Sequence, residues 1–227
     1  MNFAVLGTGV VGQAHAGKLS NLGHKVIVGT RDPVAALARR EAPENSTSVP
    51  FGKWASDYPR VRVDTFAKAV GSADVVIEAL SGDAAMDVLD SLRDVLRNKI
   101  LIEISNPLDF SKGRPPTLFV SNDDSLGEQI QRSLPDTKVV KAFNTMNANV
   151  QVSPGEVANS DHHLLICGND KQAKAKVIEI AKNEYGWEKI LDLGSIKSAR
   201  GMEMVLPLWL EILSSLNTAK FNFKVAM

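Results

Sequence analysis

The chain has 227 residues, 44% of them hydrophobic and 23% charged, which excludes a disordered or low-complexity class and gives ample length for one well-buried α/β unit with a small appendage. Lysine plus arginine and aspartate plus glutamate both number 26, so no net field points to a nucleic acid or an anionic membrane surface as partner. The single cysteine, Cys167, excludes an internal disulfide, and no apolar run approaches the roughly 20 residues of a membrane span, so a cytoplasmic protein without a leader segment is expected.

In chain order, residues 3–6 form a short apolar run ended by glycine, residues 10–22 carry small and apolar side chains at helical spacing, and residues 25–28 are a second apolar run. That is a strand, helix, strand unit of about 30 residues, the length a right-handed parallel crossover needs. Asp32-Pro33 reads as an N-cap with proline at the first helical position, opening a helix to about residue 40. Residues 42–59 are rich in Pro, Ser, Thr, Asn and Gly and read as a loop or irregular insertion, whose Phe51, Trp54 and Tyr58 suggest that it packs onto something. Strands follow at 61–63, 74–79 and 100–104, with helices from 65 and over 84–96. After a Pro/Gly-rich loop at 105–116 come a helix at 126–134, strands at 138–143 and 164–167, a helix over 171–184 and a strand at 189–192. A long helix over 196–216 contains Pro207, so a kink near Leu206 is expected. Alternation of this kind predicts an α/β, doubly wound, mostly parallel sheet, with ligands outside the carboxyl ends of its strands where strand order reverses. Residues 1–195 would form that unit and residues 196–227 a small C-terminal helical extension.

The first turn carries Gly7-Thr8-Gly9-Val10-Val11-Gly12. A lone Gly-x-Gly-x-x-Gly is weak, but here it lies between a strand and a helix. Gly7 would make the tight turn, Gly9 would let backbone approach a pyrophosphate, and Gly12 would let the helix pack on the sheet, the arrangement of a Rossmann dinucleotide site. The helix N-terminus adds unpaired N–H groups and partial positive charge. Where an NAD site ends its second strand with an acidic residue, this chain has Thr30-Arg31, a hydroxyl and a guanidinium suited to a 2′-phosphate, so NADP(H) is expected in preference to NAD.

Little else has the pattern of a reactive centre. His162 and His163 are adjacent, so on a strand they face opposite ways, and neither His15 nor His24 has ligand spacing; no metal is expected. Cys167 lies in an apolar run and reads as a small buried hydrophobe. No obvious Lys or His general acid of the carbonyl-reducing type is present, which suits hydride transfer to a ring that itself holds the charge it receives.

Four further stretches, EISNPLDF, KVVKAFNTMNA, HHLLICGNDKQAKAKV and LDLGSIKSARGMEMVLPLWL, resemble the corresponding stretches of the deazaflavin (coenzyme F420)-dependent NADP oxidoreductases. They are also similar to the NADPH-binding domain of the six-transmembrane epithelial antigen ferric reductases. The resemblance runs from Phe3 to about Leu213. It implies a Rossmann domain, commonly a homodimer, passing a hydride between NADPH and a stacked deazaflavin or flavin ring. On that resemblance Gly7 to Gly12 hold the pyrophosphate and Thr30 and Arg31 the 2′-phosphate. Leu80 and Ser81 line the cofactor's middle, while Ser105, Asn106, Pro107 and Ala142, Phe143, Asn144, Thr145 surround the nicotinamide. Met146, Leu206 and Pro207 would touch the second ring, the latter two as part of a far wall running from Ser198 to Leu208. Asn106 and Asn144 read equally well as turn residues, and Leu206, Leu208 and Trp209 as core or dimer interface. Archaeal members tend to carry His-Thr where this chain has Asn144-Thr145, and their counterpart of residues 42–59 is shorter. Reduction of a small imine or carbonyl substrate, or a regulatory NADPH-binding module without turnover, are the alternatives.

Overall fold

The computed structural model describes residues 1–41 and 49–226. Its first crossover is β1 (Asn2–Leu6), α1 (Val10–Asn21) and β2 (Lys25–Thr30). Four of the five residues of β1 are buried, as an apolar strand covered on both faces must be. The chain continues through α2 (Pro33–Ala38), α3 (Phe51–Asp57), β3 (Arg62–Thr65), α4 (Phe66–Gly71), β4 (Val75–Glu78), α5 (Gly82–Ser91), α6 (Arg93–Leu96) and β5 (Ile100–Glu103). A small hairpin, β6 (Leu108–Asp109) with β7 (Thr117–Leu118), precedes α7 (Leu126–Ser133), β8 (Lys138–Ala142) and α8 (Ala148–Val152). Then come β9 (His163–Gly168), α9 (Lys171–Ile180), β10 (Lys189–Asp192) and α10 (Ala199–Leu216).

The main sheet has the order β10-β9-β8-β5-β4-β1-β2-β3. The six strands from β8 to β3 are mutually parallel, β9 pairs antiparallel with β8, and β10 is parallel to β9. Strand order reverses between β1 and β4, which places the switch point beside the glycine-rich turn. Helices cover both faces. One apolar cluster joins Phe3, Val28, Ile77 and Val140 to Leu19, Trp54 and Trp187, and the other joins Leu6, Val76 and Leu101 to Leu89, Leu126 and Met202. The expected doubly wound, mostly parallel architecture with a C-terminal helix is therefore present.

The 42–59 stretch is corrected in part. Residues 42–48 lie outside the described residues, but Phe51–Asp57 is a helix, with the Trp54 ring stacked between those of Phe51 and Tyr58 at 5.4 and 4.7 Å. The Pro/Gly-rich loop holds β6 and the turn of the β6–β7 hairpin, and α8, which was not expected, is capped by Asn147, whose side chain accepts from Asn149 N–H at 2.8 Å. Asp32 caps α2 as expected, accepting from Ala35 N–H at 3.0 Å. The helix through Pro207 continues unbroken over Ala199–Leu216.

Candidate functional site

The glycine turn divides its residues by what needs them. Gly7 has φ +123°, and a Cβ there would lie 2.3 Å from the Ala79 carbonyl oxygen; a Cβ at Gly12 would lie 2.3 Å from the Gly7 oxygen. The protein's own backbone demands both glycines. At Gly9 a Cβ would meet no atom of the described residues within 4 Å, so among them this bare backbone is left open beside the N-terminus of α1, which has no side-chain cap. Residues Gly7 to Gly9, Thr30, Arg31 and Leu80-Ser81 share one groove of about 510 Å³. Arg39, just past α2, also lines it and donates to the Thr8 hydroxyl at 2.6 Å. Sequence reasoning missed Arg39, because only the return of the chain over the turn brings it to Thr8.

Leu80 and Ser81 also line a second cleft, of about 770 Å³, with Val11, Asp83, Ser105, Asn106, the hairpin residues Leu108 to Ser111 and Phe119. Groove and cleft therefore adjoin at Leu80 and Ser81, beside the switch point. A cavity of about 380 Å³, lined by Phe3, His24, Lys25, Arg60 and Arg62, lies at the strands' amino ends, the edge where open α/β sheets do not bind their ligands.

The other expected contacts are placed differently. Pro107 is buried, and its carbonyl accepts from Phe119 N–H at 2.9 Å. Ala142, Phe143, Asn144, Thr145 and Met146 are all buried and are not among the lining residues of groove or cleft. The side-chain nitrogen of Asn144 donates to Asn106 Oδ1 at 2.9 Å and to the Met202 carbonyl at 3.0 Å, while Asn106 returns a bond to the Asn144 carbonyl at 2.9 Å. The pair thus clamps the loops after β5 and β8 to α10. Leu206 is buried and Pro207 exposed; neither lines the cleft. Farther back on α10, Arg200 makes a bidentate pair with Glu128 at 2.8 Å, and the Glu203 carboxylate accepts from Leu126 and Gly127 N–H at 2.9 and 3.0 Å. Both contacts dock α10 on the N-terminal turn of α7.

Behind the cleft lies a buried charged cluster. Glu78, at the end of β4, accepts from the Ser105 hydroxyl at 2.7 Å and from Leu80 N–H at 2.8 Å, so one carboxylate ties the loop after β4 to the loop after β5. Lys141 Nζ sits 2.5 Å from Glu103, 3.0 Å from Glu203 and 2.8 Å from the Ser105 carbonyl. Burial pushes the Glu103 carboxyl up to about 8 despite Lys141, helped by the charges of Glu78 and Glu203. Glu78 is likewise raised by burial. For Lys141, burial acts downward but is outweighed by Glu103 and Glu203, which hold it above its ordinary value. One lysine among three carboxylates thus leaves a protonated carboxyl in the cluster near neutral pH. Burial also pushes the Cys167 thiol up to about 12, the behaviour of an inert core cysteine.

On the far side of the loop after β8, His15 Nδ1 is 2.7 Å from the Tyr185 hydroxyl and Nε2 is 2.9 Å from Gln151 Oε1. Burial lowers its pKa to about 4, so it is neutral. The Gln151 amide donates in turn to the Phe143 and Met146 carbonyls at 3.0 and 3.1 Å. The first helix thereby buttresses that loop.

Residues 2–107 match the family model for coenzyme F420-dependent NADP oxidoreductase. The crystal structure of a candidate F420-dependent NADP-reductase from Arthrobacter sp. FB24 is 48% identical over the whole of both chains, with a TM-score of 0.94. The F420-dependent NADP reductase of Methanocaldococcus jannaschii is 34% identical over 142 residues, an aligned region that spans 62% of each protein. Metalloreductase STEAP3 of Rattus norvegicus is 30% identical over 211 residues, 90% of this chain but only 37% of the rat protein.

Proposed function

The chain belongs to the coenzyme F420-dependent NADP oxidoreductase family, and from that premise we propose that it passes a hydride between NADPH and a deazaflavin (coenzyme F420) or flavin-type acceptor. The observation that carries this reading is that the glycine-turn groove and the cleft adjoin at Leu80 and Ser81, which line both. A dinucleotide laid along it has its adenosine end at Thr30 and Arg31 and its nicotinamide at Ser105 and Asn106, with room in the cleft for a second ring.

The residues fit that cofactor. Gly9 leaves open the space that a pyrophosphate takes beside the uncapped amides of α1. Thr30, Arg31 and Arg39 converge on the groove and supply a hydroxyl and two guanidinium groups for a 2′-phosphate, the charge-assisted donors such a group requires. When bound, NADPH supplies the hydride from its nicotinamide ring. The protein's own part is positional. Glu78 fixes the Leu80 and Ser105 loops, the Asn106–Asn144 pair fixes the loop behind them, and these fixed loops would hold two bound rings in place for transfer, which requires about 3–3.5 Å between reacting atoms. Ala142 to Met146 act on the nicotinamide from behind, through that clamp. The protein works as a homodimer joined through the exposed face of α10.

The test is loss of nicotinamide absorbance when NADPH is mixed with protein and oxidised coenzyme F420, then with FMN, FAD, a ferric chelate and a cyclic imine. Turnover on F420 or a free flavin, with NADPH preferred over NADH, is the expected result. Tight NADPH binding with no turnover on any acceptor would replace this reading with a regulatory module, and turnover on the imine alone would replace it with an imine reductase.

A further inference from the structure

The β6–β7 hairpin projects beyond the carboxyl end of β5 and is held by two rungs, Leu108 opposite Leu118 and Asp109 opposite Thr117. Two phenyl rings of this short element, Phe110 and Phe119, line the cleft and remain 48% and 44% exposed. Single exposed apolar side chains are ordinary, but these two share one lip of a cleft whose other lining includes Val11 and Leu80. Each ring is held in place from behind. Phe119 N–H is bonded to the Pro107 carbonyl at 2.9 Å, and the Arg114 guanidinium lies 5.2 Å from the Phe110 ring centroid, within cation–π range. Lys112 and Arg114 make the hairpin tip basic, while Asp83 and Asp109 line the cleft itself. Asp109 is kept ionised by its bond from Ser111 N–H at 2.8 Å. An acceptor with a flat apolar ring and an acidic side chain would therefore enter ring first, with its anion held outside at the tip.

Resting on the hydride-transfer reading above, we infer that this hairpin is the acceptor-docking element. Phe110 and Phe119 stack against the acceptor ring, and Lys112 and Arg114 take its anionic side chain. The second wall of the acceptor pocket then comes from the loop after β5, ahead of Leu206 and Pro207 of α10, which do not line the cleft.

The test compares coenzyme F420 with its deazariboflavin core, which lacks the acidic side chain. With Phe110→Ala/Phe119→Ala, the KM for both acceptors rises about three- to tenfold, the scale of lost aromatic stacking, while NADPH affinity and melting temperature hold; Phe110→Tyr restores the wild-type value. With Lys112→Ala/Arg114→Ala, the KM rises more for F420 than for its core, the smaller shared rise coming from the lost Arg114 contact with Phe110, and the salt dependence for F420 flattens. Wild-type KM values for both acceptors in either double variant would overturn the inference. Should the wild-type protein turn over neither acceptor, titration of F420 fluorescence with NADP-loaded protein separates the two ideas. Binding that weakens in these variants keeps the docking element and removes the reaction, whereas binding unaffected by them, or absent, removes the docking element too.

Discussion

Gly9 and Gly12 stand three residues apart in one motif, yet the protein needs only one of them for its own packing. A methyl group at Gly12 meets the Gly7 oxygen at 2.3 Å, so Gly12→Ala should push α1 off the sheet and lower the melting temperature by several degrees, a loss of about 1–3 kcal/mol. Gly9→Ala meets none of the described residues and should melt as wild type while binding NADPH at least tenfold more weakly; equal thermal losses in both would remove the ligand explanation of Gly9. Arg39→Ala should cost NADPH roughly the same order of affinity as Arg31→Ala and leave NADH unchanged, since each withdraws one charged hydrogen bond from the 2′-phosphate. Isothermal titration with both coenzymes decides it, and parallel losses for NADPH and NADH would count against the assignment. Glu103 gives a test by pH. Its folded pKa, about 8, exceeds the ordinary value of 4.5, so the unfolded chain loses a proton that the folded chain keeps. This group therefore subtracts stability as pH rises from 4.5 to about 8, after which the cost levels off. Glu103→Gln, neutral throughout, should melt with a shallower fall between pH 5 and 8 than the wild type; an identical slope would place the retained proton elsewhere. The glycine run and Thr30-Arg31 were legible because each occupies a fixed offset from one turn. Arg39 and the partners of Glu103 were not, since β4, β5, β8 and α10 meet only in three dimensions, and Glu103 showed merely as one acid in an apolar strand.

Among elements, those with a clean period were readable. The central strands β1, β4 and β5 are mostly apolar and buried, and Asp32, Ser125 and Asp170 each cap the helix that follows them, of which Asp32 was readable from its place before Pro33. The α3 segment was hidden by its composition. Its Pro, Ser and Gly residues signal a loop, although Phe51, Trp54 and Tyr58 repeat at helical spacing and stack on one another. The hairpin and α8 are too short for any period to register. In α3, Gly52 N–H donates to the Arg39 carbonyl at 2.9 Å, and a Cβ on Gly52 would lie 2.2 and 2.6 Å from the Leu37 and Arg39 oxygens. Helix α3 thus sets the backbone from which Arg39 reaches Thr8. Gly52→Ala should therefore weaken NADPH binding severalfold with little change for NADH, a selective loss that simple unfolding of α3 would not produce; a coenzyme-independent loss would show that α3 supports only the core.

At the scale of the whole molecule, α10 has two dissimilar sides. Its inward side is fixed by Arg200 on Glu128 and by Glu203 over the α7 N-terminus, while Met204, Leu208 and Leu216 remain 39%, 53% and 56% exposed. Met204 and Leu208 are one helical step of four apart, with Pro207 beside them, so they form a stripe along one side of the helix. Among the described residues no helix is long and apolar enough to cross a membrane. On the homodimer proposal a second copy would cross at the same helix, because a two-fold axis brings a self-complementary apolar strip against itself. Sedimentation should then find a dimer, and Met204→Glu/Leu208→Glu should yield a folded monomer, since both side chains already face outward and their replacement opens no cavity. The Asn106–Asn144 clamp ends on the Met202 carbonyl of the same helix. If association steadies α10, the monomer should lose kcat through that clamp while keeping NADPH affinity, which depends on the distant glycine turn. A wild-type monomer in solution, or a monomeric variant with undiminished turnover, would separate α10 from the assembly and leave its apolar side without this role.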